Sequence, residues 1–155
     1  MTTIYIASAH AGFELKMSLV KYLQSHKYQV HDLGTTGLDS VDYPDYADRV
    51  CKKLISDPQL TSGTSKETRS LGILVCGSGQ GMAMRANKYP SIRAALVYSE
   101  DVARLSREHN DANVICLGAR FCTLENAEKW INIFINTEFS EGRHRQRVDK
   151  TSQST

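Results

Sequence analysis

The chain has 155 residues and a formal net charge of +2, with 41% hydrophobic and 23% charged residues. The length suits one domain with one core. The composition excludes a disordered chain, and the near-neutral balance gives no reason to expect a nucleic-acid or membrane partner.

No apolar run reaches the roughly 18 residues of a membrane span. The N-terminus, MTTIYIASAHAGF, lacks the basic start and long apolar centre of a signal peptide. The four cysteines, Cys51, Cys76, Cys116 and Cys122, form no CxxC, which predicts reduced thiols and a cytoplasmic protein. The five histidines show no HxH or HxxxH spacing, so no metal site is expected.

Short apolar runs alternate with helical patterns. Thr3 to Ser8 reads as a strand. Leu15, Leu19, Tyr22 and Leu23 then share one helical face. Tyr28 to Leu33 alternates and reads as a second strand. Pro44 suits a first helical turn, and Ala47, Val50, Cys51 and Leu54 give that helix its apolar face. Ser56 to Ser70 is polar and without apolar period, and reads as an exposed loop inside a crossover. Leu71 to Cys76 is continuously apolar, as a strand covered on both sides would be.

Gly77 to Gly81 interrupts that pattern, and Met82 to Lys88 reads as a short helix. Ile92 to Tyr98 reads as a fourth buried strand. Ser99 is a helix N-cap, followed by the acidic Glu100 and Asp101. Asn113 to Leu117 is a fifth strand. Thr123 opens a helix with Leu124, Ala127, Ile131, Phe134 and Ile135 on one side, and a basic helix starts near Glu141. Strands alternating with helices predict a three-layer α/β/α Rossmann-like fold: a five-stranded parallel sheet with an extra C-terminal helix. Residues 1–150 form the single domain, and 151–155 read as a disordered tail.

Open parallel sheets bind ligands beyond the carboxyl ends of their strands. After strand one stands Ala9-His10-Ala11-Gly12; after strand three, Cys76-Gly77-Ser78-Gly79-Gln80-Gly81; after strand five, Gly118-Ala119-Arg120. A loop with glycine at every second position can turn its N–H groups inward as an anion nest, or simply make a tight turn. His109-Asn110 fits a helix C-terminus as well as a site. Arg143 and Arg147 share a helical face and suit either a phosphate or a solvated basic tail. Tyr43 can stand at a site entrance or pack on the next helix.

Taken together, CGSGQGM, NKYPSIRAAL, SREHNDANV, the GAR after strand five and the terminal EGRHRQRV resemble type B ribose-5-phosphate isomerase of the ribose/galactose sugar-phosphate isomerase superfamily. The resemblance runs from about Ile4 to Val148. It implies a homodimer, or paired dimers as a tetramer, with active sites shared between subunits. It implies interconversion of ribose 5-phosphate and ribulose 5-phosphate in the pentose phosphate pathway, without metal or organic cofactor.

By position, the resemblance makes Cys76 the base that removes the proton beside the carbonyl, with Ser78 also catalytic. Gly77, Ser78, Gly79, Gln80 and Gly81 would hold the enediolate. His109 would open the furanose ring and Asn110 would contact the sugar. Arg120, Arg143 and Arg147 would bind the phosphate with His10 nearby, and Tyr43 would stand beside the sugar. The family usually carries an aspartate before the histidine that follows strand one, where this chain has Ala9; Ser8 is the candidate to replace it. Two other readings follow: a hexose-6-phosphate isomerase acting on allose or galactose derivatives, and a phosphosugar-binding protein with catalysis impaired by Ala9. A nucleotide or nucleic-acid binder is disfavoured, because no GxGxxG follows strand one.

Overall fold

The computed structural model describes residues 1–60 and 68–155. Five strands, β1 (Thr3–Ser8), β2 (Gln29–Asp32), β3 (Ser70–Cys76), β4 (Ala94–Leu96) and β5 (Val114–Gly118), form one parallel sheet in the order β2-β1-β3-β5-β4. Between and after them run α1 (Phe13–Ser25), α2 (Tyr43–Ile55), α3 (Gln80–Ala86), α4 (Glu100–Glu108), α5 (Leu124–Asn136) and α6 (Arg143–Thr151). Short 3-10 turns follow β1 at His10–Gly12 and precede β3 at Pro58–Leu60.

Side chains alternate across each strand, so the sheet feeds two cores. Ile4, Ile6, Ile73, Val75, Ile115 and Leu117 meet α1, α4 and α5 on one face. Ala7, Leu74, Cys76, Val114 and Cys116 meet α2 and α3 on the other. β3 lies at the centre and is buried at every residue, which explains its unbroken apolar run.

Some local readings change, and a buried charge appears that the periodicity does not announce. Ile92 to Tyr98 resembles a buried strand, yet β4 spans only Ala94–Leu96, lies at the sheet edge and is half-exposed. An apolar run reports hydrophobicity and not sheet position. In α5 the buried face includes Trp130, while Leu124 is 40% exposed at the first turn. Lys16 on α1 is buried although charged; its ammonium donates to both Asp32 carboxylate oxygens at 2.6 and 2.8 Å and to the Thr35 carbonyl at 2.9 Å. Of the loop expected over Ser56 to Ser70, positions 61–67 lie outside the described residues, and Ser70 is a buried part of β3.

The caps follow the expected chemistry. Ser99 Oγ accepts the Val102 N–H, and Thr123 Oγ1 accepts the Asn126 N–H. α6 extends through Thr151, so the expected tail begins inside the helix. Residues 151–155 border a hollow of about 750 Å³ that also touches Tyr89, Arg93 and Asn110. Val148 of α6, 4% exposed, lines a hollow with Ile55, Leu60 and Arg93 at the end of the sheet where the strands begin.

Candidate active site

The strand order reverses direction between β1 and β3, which makes their carboxyl ends the crevice of the fold. Ala9 follows β1 directly and Cys76 ends the neighbouring β3, and the Ala9 N–H donates to the Val75 carbonyl at 3.0 Å. Both side chains lie in the core shared with α2 and α3. Cys76 is 8% exposed, and its Sγ accepts the Gly79 N–H at 3.0 Å.

Two positions of the loop after Cys76 require glycine. Gly79 has φ +77°, and a Cβ there would come within 2.6 Å of Leu96 and 3.0 Å of the Leu117 carbonyl carbon. A Cβ on Gly81 would occupy the space of the Tyr43 ring, so Tyr43 at the start of α2 packs directly on the loop. The Ser78 and Gln80 side chains are exposed, and Ser78 Oγ accepts the Gln80 N–H at 3.3 Å.

β5 closes the loop from its other side. The Ala119 and Arg120 N–H groups donate to the Cys76 and Gly77 carbonyls at 2.8 and 3.0 Å. The exposed Arg120 guanidinium stands where a Cβ on Gly77 would meet it at 3.0 Å. His10 faces the same rim: its Nδ1 accepts the Val41 N–H at 3.3 Å, tying it to the segment before Tyr43. One end of the sheet thus gathers His10, Tyr43, Cys76, the loop Gly77–Gly81 and Arg120.

His109, Asn110, Arg143 and Arg147 are not there. α4 starts at the carboxyl end of β4 and runs back, so it delivers His109 and Asn110 to the opposite edge, just before β5 begins. β5 has five residues, about 16 Å of chain at 3.3 Å each, between that edge and Gly118. The His109 ring stacks on His144 of α6 at 4.3 Å between centroids. Partial burial, then His109, Arg143 and Arg147, lower the pKa of His144. Arg143 and Arg147 are exposed one turn apart, with no carboxylate partner among the described residues.

Ser8 does not stand in for the aspartate. Strand alternation turns it to the α1 face, away from Ala9 and Cys76, and its buried Oγ has no partner among the described residues. Ala9 itself is 4% exposed and belongs to the apolar core under α2 and α3, so the strand end is drier than a solvated rim.

Burial pushes the Cys51 thiol up to about 12 and raises those of Cys116 and Cys122. No cluster of three metal-binding side chains occurs among the described residues. No helix there is long and apolar enough to cross a membrane.

The family model described as Ribose/Galactose Isomerase matches residues 4–151. A protein of Mycoplasma pneumoniae named probable ribose-5-phosphate isomerase B is 46% identical over 148 residues, covering 95% of this chain and 91% of the relative. Ribose-5-phosphate isomerase B of Mycolicibacterium paratuberculosis is 36% identical, covering 94% and 87%. A crystal structure of a ribose 5-phosphate isomerase from Thermotoga maritima superposes with a TM-score of 0.88 at 42% identity over 97% of both chains. The Mycoplasma genitalium ribose-5-phosphate isomerase B, solved with bound ribulose-5-phosphate, gives 0.86 at 40% identity over 96% and 93%.

Proposed function

The chain belongs to the ribose/galactose isomerase family, and from that premise we propose that it interconverts ribose 5-phosphate and ribulose 5-phosphate through an enediolate. One observation carries the reading: a thiol at the end of the central strand, hydrogen-bonded by a glycine-loop amide, at a turn whose Gly79 and Gly81 leave no room for a side chain. Moving a proton between C1 and C2 needs a base on one face of the carbon pair and donors for the oxygens. Cys76 supplies the base. Ser78 and the amides of Gly77 to Gly81 supply the donors. Tyr43 walls the sugar, with His10 beside it.

The phosphate needs cations and the furanose needs an acid–base group. His109, Asn110, Arg143 and Arg147 have the right chemistry but sit at the opposite end of their own sheet. A two-fold dimer with antiparallel sheets resolves this, bringing the strand ends of one copy to the strand beginnings of the other, twice. In that assembly His109 and Asn110 of one copy open and hold the sugar beside Cys76 of the other. Arg143 and Arg147 join Arg120 around the phosphate. The chemistry uses side-chain proton transfers alone, and the setting we propose is the cytoplasm and the pentose phosphate pathway. The hexose-6-phosphate reading is less favoured, because the named relatives are ribose-5-phosphate isomerases.

A coupled assay with ribose 5-phosphate, run beside allose 6-phosphate and galactose 6-phosphate, tests the substrate. Turnover should be greatest with the pentose. Cys76→Ala should abolish it while ribulose 5-phosphate still binds by calorimetry. Substantial turnover in that variant would remove the thiol from the mechanism. Binding without turnover in the unmodified chain would support the phosphosugar-binding reading that Ala9 keeps open.

A further inference from the structure

The turn that carries His109 and Asn110 is closed by a buried ionic clasp, and we propose that Asp111, held between Arg93 and Arg107, is a positioning residue for the ring-opening step. The inference rests on the isomerase reading above. It assigns Asp111 to the orientation of His109 and to no part of enolisation.

Asp111 follows Asn110 directly, is 7% exposed and adopts φ +47°, a left-handed conformation that aspartate tolerates better than most residues. Its Oδ1 accepts from Arg107 Nη1 at 2.9 Å and its Oδ2 from Arg93 Nη2 at 3.4 Å. Its carbonyl accepts from Arg93 Nε at 2.8 Å. Arg107, 4% exposed, also donates to the Ala112 carbonyl at 2.5 Å and to the Thr137 carbonyl at 3.1 Å. The carboxylate joins the end of α4 to the approach to β4, and Arg107 links that pair on to the exit of α5.

A helix end needs no such device. Glycine closes a left-handed turn without burying charge. Burying a carboxylate with two guanidinium groups costs desolvation that pairing barely offsets, so the arrangement is a poor source of stability. What it supplies is a fixed backbone. That matters here because neither the His109 ring nor the Asn110 amide has a hydrogen bond among the described residues. Beyond its stack on His144, the His109 ring takes its direction from the backbone of the turn. The Arg107 bond to Thr137 and the Ser140 N–H bond to the Glu108 carbonyl, 3.0 Å, tie that turn to the segment leading into α6. Neither of those links is made by the Asp111 carboxylate itself.

The two halves of the reaction separate the roles. Ribulose 5-phosphate has no free 5-hydroxyl and stays open-chain, so enolisation from it needs no ring opening. Exchange of its C1 proton with solvent deuterium therefore reports enolisation without ring opening: the Cys76 thiolate takes the proton, exchanges it and returns a deuteron to the same carbon.

Asp111→Asn keeps the volume and the left-handed backbone. It should lower kcat with ribose 5-phosphate on the order of 10²-fold, the scale of a misplaced reacting group. KM and the C1 exchange rate should change by less than about threefold, the pattern of an interaction outside ground-state binding. Arg93→Lys, which keeps the charge and loses the fork, should show the same split to a smaller degree. Equal loss of exchange and turnover in folded variants, or unchanged turnover, would overturn the assignment. So would unfolding of both variants by far-UV circular dichroism, which would make the clasp a matter of stability alone. His109→Ala runs as the control: full turnover of ribose 5-phosphate there would sink the role of His109 itself, a different failure from that of the clasp.

Discussion

Ala9 is the position at which this chain departs from its family's pattern. It follows β1 beside Cys76, and the family resemblance assigns an aspartate there to grip the sugar. The position is 4% exposed among apolar neighbours, so a carboxylate introduced without substrate is poorly solvated. Ala9→Asp should raise kcat with ribose 5-phosphate more than it improves affinity, because orientation against His109 limits ring opening. It should also lower the unfolding free energy by about 1–3 kcal/mol. Steady-state kinetics and urea unfolding on both forms decide it; unchanged or lower kcat in folded protein means another group already fills the role. Asp57 offers a contrasting carboxylate. Burial pushes its pKa up, but hydrogen bonds from Ser70 Oγ at 2.6 Å, the Gln59 N–H at 2.9 Å and Tyr5 Oη at 2.9 Å outweigh it, and the net direction is down. A carboxylate lowered by folding stabilises above its unfolded value, about 4, and loses that contribution as pH falls through its folded value. Asp57→Asn should therefore cost about 1.5–3 kcal/mol near neutral pH, with the deficit shrinking below about pH 4. Urea midpoints measured down that range should converge; a constant deficit would show that the charge is not what stabilises.

At the scale of elements, α6 carries the phosphate prediction. Its spacing was readable as two arginine forks on one face, and they are exposed together without carboxylate partners among the described residues. Arg145, between them, is instead turned to Glu141 at 3.0 Å and to the Phe139 ring. Arg143→Ala or Arg147→Ala should each weaken ribulose 5-phosphate binding by about 1.5–3 kcal/mol, the scale of hydrogen bonds to charged groups. Arg145→Ala should change it little, and added nucleic acid should not compete. Calorimetric titration reads all three, and unchanged affinity in the first two would leave α6 a solvated basic helix. Most elements were legible because their pattern is local: α2 buries the four residues its period named, Ala47, Val50, Cys51 and Leu54. β4 was misjudged because edge or centre is a property of the sheet and not of the run. Lys16 was missed because no apolar period can anticipate a buried ammonium whose partner, Asp32, lies on another element. The Asp111 clasp was missed for the same reason, although Arg107 stands four residues before Asp111 in the chain.

On the scale of the whole molecule, the two groups of candidate residues lie at opposite ends of one sheet, and the shared-site dimer proposed above makes a direct prediction. Cys76→Ala and Arg143→Ala chains, each inactive or weak alone, should regain activity when mixed, because one of the two sites in a mixed dimer is intact. No recovery in verified mixed dimers would argue for sites within one chain. The sequence by itself determined the strands and helices, their parallel order of connection, the glycine loop after Cys76 and the identity of the polar residues gathered at element ends. Those features are written in short-range periodicity, capping and turn chemistry, which act between residues close in the chain. Only the tertiary structure decided which of those residues share a site. Helices α4 and α5 run antiparallel to the strands. Residues after a strand and residues after a helix therefore end about one strand length apart, however similar their chemistry reads in the chain.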